Sequence, residues 1–169
     1  MIAISVRGLT KIRRETSGLG YVNMIRDNLV NVKKESLLPL YEDLRSADCI
    51  VCGGSGRSLH SLNIAMSQIA TMKDSRVVIT REDVGFPGRG MYDAASELEK
   101  RYRKILLLIN SGSGESEDPK DLAKSLERYL EETESEKFSM GLITSNPDSS
   151  IAHIVRRHGH VVKLRGRER

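Results

Sequence analysis

The sequence has no tryptophan, only two cysteines, and no apolar stretch that approaches the ~20 residues needed to span a bilayer. Its first residues, MIAISVRGLTKIRR, lack the apolar core of a secretory signal. Together these point to a soluble cytoplasmic protein. The cysteines, Cys49 and Cys52, are three apart. A redox pair normally sits at the exposed start of a helix, and a structural zinc site needs more ligands. Here both lie in the apparent strand 48–52, where residues three apart point to opposite faces, so buried, reduced thiols are expected and no metal. Other signatures are missing as well. There is no G-x-x-x-x-G-K-[ST] run, which disfavours a nucleoside triphosphatase. No G-x-S-x-G elbow occurs, and Leu59 stands where a dinucleotide fingerprint needs its third glycine.

An excess of one sign of charge is nearly absent too. The chain carries 27 Lys+Arg against 23 Asp+Glu, a net charge of +4, and its basic excess lies in the last fourteen residues, where Arg156, Arg157, Lys163, Arg165, Arg167 and Arg169 face only Glu168. Nucleic-acid binding is therefore only weakly indicated. What is present is a 169-residue chain with 30% charged and 38% hydrophobic residues, the latter in bursts, which is the make-up of one folded domain. Residues 1–18 read as a basic arm, leaving 19–169 as the domain. Val22, Ile25, Leu29, Val32 and Leu37 recur at helical spacing, which predicts one long helix to about Arg45 or two broken near Pro39.

From there strands and helices alternate. Strands are expected at 48–52, 77–79, 105–109, 140–144 and 161–164. Helices are expected after the first glycine turn to about Ile69, at 92–102, from Pro119 to about Glu131, and at 150–157. Five strands alternating with helices predict an α/β three-layer sandwich with a parallel sheet, and a ligand site beyond the carboxyl ends of its strands.

Two strand-to-helix turns are rich in glycine and serine: Gly54, Ser55, Gly56, Arg57 and Ser58 in the first, and Ser111, Gly112, Ser113, Gly114, Glu115 and Ser116 in the second. Glycine lets the backbone approach an anion, the following helix offers unpaired N–H groups, and serine adds hydroxyl donors. One such turn is as well explained by tight turning alone; two at equivalent places describe a phosphate cradle.

At these residues the sequence resembles the SIS (sugar isomerase) domain family, most closely its 6-phospho-3-hexuloisomerases. The family's G-x-G-R-S loop is matched by Gly54–Ser58, its S-x-S-G-x-T loop by Ser111–Ser116, with serine in place of threonine, and its I-T-S-x-x-x-S-x-L-A segment by Ile143–Ala152. The resemblance implies a flavodoxin-like fold that binds a phosphorylated sugar, with Ser111–Ser116 on the phosphate and Arg57 and Ser58 lining the same cleft. It also implies a homo-oligomer, dimer or tetramer, and no cofactor. The expected activity is aldose–ketose isomerisation through an enediol, which needs a base and a group that polarises the carbonyl. Glu115 and His60 are the candidates, although Glu115 at a helix start is equally read as a dipole partner, and His60 as a surface residue. The hexuloisomerases continue beyond the position of Arg169 into a helix with an acidic motif, so a non-catalytic sugar-phosphate-binding or regulatory module is the alternative.

Overall fold

The computed structural model describes residues 34–70, 77–80 and 90–164; the expected basic arm and most of the expected first helix lie outside them. In chain order the elements are α1 (Lys34–Ser46), β1 (Cys49–Gly54), α2 (Gly56–Ala70), β2 (Val77–Thr80), α3 (Met91–Arg101), β3 (Ile105–Asn110), α4 (Glu117–Thr133), β4 (Phe138–Thr144), α5 (Ser150–His158) and β5 (Gly159–Lys163). The strands form one parallel sheet in the order β2-β1-β3-β4-β5.

Both faces of this sheet are covered, and the strand sequences show why. Ile105 to Ile109 are all buried, an unbroken apolar run of the kind that parallel strands need when helices lie above and below. Alternate residues divide between two clusters. Cys49, Val51, Ile105, Leu107, Ile109, Met140 and Leu142 pack with α3, α4 and α5 through residues such as Met91, Leu126 and Ile151. Ile50, Cys52, Leu106, Leu108 and Val162 pack with α1 and α2 through Leu40, Leu62 and Met66. Each of these large aliphatic side chains contributes roughly 1.5–3 kcal/mol on burial.

Cys49 and Cys52 thus lie on opposite sides of the sheet, both fully buried and free. Burial pushes the Cys49 thiol up to about 12, with Cys52 and Asp48 adding to the effect, and the Cys52 thiol up to about 11. Pro39 breaks nothing: α1 runs through it, and the next residue, Leu40, is buried in the core. Among the described residues no helix is long and apolar enough to cross a membrane.

The strand order also fixes where a ligand can enter. The chain goes from β1 outward to β2, then returns past β1 to lay β3 on its other side and continues to β4 and β5. The connections after β1 and β3 therefore leave the sheet toward opposite faces, and in open parallel sheets the ligand crevice lies at this switch point, beyond the carboxyl ends of the two strands.

Candidate functional site

The two glycine-serine turns flank this crevice. Gly54 and Asn110, the last residues of β1 and β3, are register partners, so the turns start from neighbouring strands about 4.8 Å apart. They are also joined directly. The Asn110 amide donates to the Ser58 carbonyl oxygen at 3.0 Å and to Ser61 Oγ at 3.3 Å. Gly54 permits this approach, because a Cβ there would lie 3.0 Å from the Asn110 carbonyl oxygen and 3.1 Å from Leu59 Cα.

The second turn is anchored on its far side. Ser145 N–H and Thr144 Oγ1 both donate to the Gly112 carbonyl oxygen, at 3.0 and 3.2 Å, and Ile151 N–H donates to that of Gly114 at 3.3 Å. Because a trans peptide holds its N–H opposite its C=O, the Ser113 N–H is turned away from the connection between β4 and α5. Ser111 is buried and its hydroxyl accepts from Gly114 N–H, while the exposed Ser113 accepts from Glu115 N–H. The backbone N–H groups of Gly112, Ser113 and Ser116 have no partner among the described residues. Ser116 is the N-cap of α4 but makes no side-chain cap bond. Gly114 has φ +69°, and a Cβ there would fall 2.1 Å from Ser149 Oγ, so this position requires glycine.

The charges are unevenly shared. The first turn of α2 has no acidic residue and carries the exposed Arg57, which makes no ion pair among the described residues. The first turn of α4 carries Glu117 and Asp118. Glu115 is committed elsewhere: its carboxylate accepts from Ser150 N–H at 2.7 Å and from the Ser150 hydroxyl at 2.6 Å, with Lys120 Nζ 4.0 Å away. The bond from the Ser150 hydroxyl, then that from its backbone N–H, hold this carboxyl below the ordinary glutamate value. His60 is exposed on α2, and no bond joins it to Glu115. Among the described residues no group of three or more His, Cys, Asp or Glu is placed to hold a metal ion.

Sequence reasoning missed Asn110 and Ser150. Asn110 was readable only as a polar residue ending a strand; its position between the β1 turn and the second serine turn was the available signal. Ser150 lies 35 residues from Glu115 in the chain, and no local signal connects them.

The fold recurs in solved structures. The sugar isomerase domain of the RpiR transcription factor from Sphaerobacter thermophilus superposes with a TM-score of 0.59 at 16% identity, covering 87% of this chain and 74% of that one. This chain has the sugar isomerase (SIS) domain fold. NanR of Vibrio vulnificus, solved with ManNAc-6P, superposes with a TM-score of 0.58 at 17% identity over 85% of this chain and 47% of its own. A Silicibacter pomeroyi protein provisionally assigned as a phosphosugar isomerase gives 0.54 and 17% over 83% of this chain and 38% of its own. The chain thus spans less than half the length of the latter two. No protein-family model and no curated protein matches the sequence. Within the SIS fold of this chain, the first two sequence motifs form the two turns at the crevice, and Ile143–Ala152 forms the connection that braces the second.

Proposed function

We propose that this chain binds a phosphorylated sugar in the crevice between β1 and β3. The observation that supports this most is that the backbone N–H groups of Gly112, Ser113 and Ser116, at the start of α4, have no partner among the described residues, next to a turn that Asn110 ties to Ser58. In this reading the phosphate lies on Ser111, Gly112, Ser113, Gly114 and Ser116, with the α4 amides and the Ser113 and Ser116 hydroxyls as donors. The turn of Gly54, Ser55, Gly56, Arg57 and Ser58 lines the sugar side, and Arg57 offsets the charge that Glu117 and Asp118 place at the α4 start. That NanR is solved with ManNAc-6P supports this ligand class.

Binding is better supported than turnover. Isomerisation through an enediol would use Glu115 as base and His60 to polarise the carbonyl, but both Glu115 oxygens already accept bonds from Ser150, which lower its basicity. Isomerisation is the second reading, favoured by the Silicibacter pomeroyi neighbour. A thermal-shift panel of hexose 6-phosphates and pentose 5-phosphates tests the first: stabilisation by at least one, lost in Ser113→Ala, is expected, and stabilisation by none refutes it. Following the same sugars by NMR with the purified protein tests the second, since an aldose signal converting to its ketose establishes turnover.

A further inference from the structure

The first three amides of α5 are all occupied. Ser150 N–H donates to Glu115, Ile151 N–H to the Gly114 carbonyl oxygen, and Ala152 N–H to Ser149 Oγ at 3.3 Å. A helix start of this kind ordinarily attracts an anion, through its free N–H groups and its positive dipole end. Here the anion is built in, supplied by a carboxylate 35 residues earlier in the chain.

We propose that Glu115 is a positioning residue, a latch whose carboxylate docks on the start of α5 and thereby holds the Ser111–Ser116 turn with its free amides toward the crevice. This rests on reading that crevice as the phosphosugar site. The latch acts together with the Gly112 carbonyl, bonded by Thr144 and Ser145 at the end of β4, and the Gly114 carbonyl, bonded by Ile151 of α5. It has a second effect. With Glu115 on the α5 start, that helix start is closed to the ligand's phosphate, which turns the phosphate toward the starts of α4 and α2 and so defines which way the ligand lies. Lys120 from α4 and His153 from α5 both stabilise the ionised form of Glu115, which keeps the latch closed.

The test compares E115A, E115Q and S150A with the wild-type chain by two measurements. Amide hydrogen exchange is followed across 111–116 and 150–152, and affinity is measured for N-acetylmannosamine 6-phosphate, glucose 6-phosphate and ribose 5-phosphate. E115A is expected to speed exchange in both segments and weaken the bound sugar phosphate on the order of tenfold, with a small fall in the melting temperature from the lost Ser150 bonds. E115Q, which keeps an acceptor for Ser150 N–H, restores most of both, and S150A falls between. E115A that binds as tightly as wild type, or exchanges no faster, overturns the latch. Wild-type protein that binds none of the three sugars overturns the phosphosugar reading instead, and exchange alone then decides whether Glu115 holds the turn.

Discussion

Gly114→Ala perturbs the second serine turn at the point where it presses against the start of α5. Two costs add. An alanine at φ +69° enters the left-handed region, which costs about 1–2 kcal/mol. Its Cβ would also lie 2.1 Å from Ser149 Oγ and 2.4 Å from Ser149 Cβ, a carbon that cannot swing aside without moving the backbone. Ser149 is fully buried and caps α5 by accepting from Ala152 N–H, so displacing it forfeits a cap bond worth about 0.5–2 kcal/mol. The expected loss is therefore about 2–4 kcal/mol, or a fall in melting temperature of about 5–15 °C for a domain of this size. Urea or thermal denaturation followed by circular dichroism reads it, and phosphosugar affinity should fall with it because the free amides move. Gly112→Ala is the control: nothing lies within 4 Å of a Cβ there, so stability should change by less than about 0.5 kcal/mol. A Gly114→Ala protein within about 1 kcal/mol of wild type and unchanged in affinity would refute the packing argument.

Three other outcomes follow from the geometry. Arg57→Ala should weaken phosphosugar binding while leaving the melting temperature unchanged, and should reduce the salt dependence of binding, because this exposed guanidinium has no ion-pair partner among the described residues; equal affinity at all salt concentrations would contradict it. Glu115 has a folded pKa below its ordinary 4.5, so its stabilising contribution is complete above that value and disappears as the pH falls through the folded pKa. The stability difference between wild type and E115Q should accordingly shrink below about pH 4.5, and a difference that stays constant to acid pH argues against the pairing with Ser150. Neither thiol should react with a thiol reagent at pH 8 in the native state, since burial lifts Cys49 to about 12 and Cys52 to about 11; both should react on unfolding, and labelling of the native chain would overturn the burial.

Much of the architecture was legible because parallel strands buried on both faces leave a continuous apolar signature. Ile105–Ile109 could hardly be anything else, and the opposite facing of Cys49 and Cys52 followed from the two-residue period of a strand. Ends were harder to read. β4 starts at Phe138, before Met140, because Ser139 interrupts the apolar run; β5 starts at Gly159, a residue with no side chain to betray it. α4 starts at Glu117, two residues before the Pro119 that marks its first turn. The helix through Pro39 was settled by the packing of Leu40, not by local propensity.

At the site, the two turns were readable as composition, and their adjacency followed once the strand order placed β1 beside β3. Their ties were not readable. Asn110 to Ser58 spans 52 residues and Glu115 to Ser150 spans 35. The carboxylates beside two histidines were equally hidden: Glu127 lies 3.8 Å from His158 and Asp43 lies 3.7 Å from His160, each brought there by a different helix layer. Only the fold puts such pairs together, since no periodicity within one element encodes a contact between two.

A crystal structure of the chain soaked with a sugar phosphate tests the central claim most directly. The phosphate should lie within hydrogen-bond reach, roughly 2.7–3.2 Å, of the Gly112, Ser113 and Ser116 amides, with the sugar extending past Asn110 toward Arg57. Density for the ligand on another part of the surface, with the crevice between β1 and β3 occupied only by water, would contradict it.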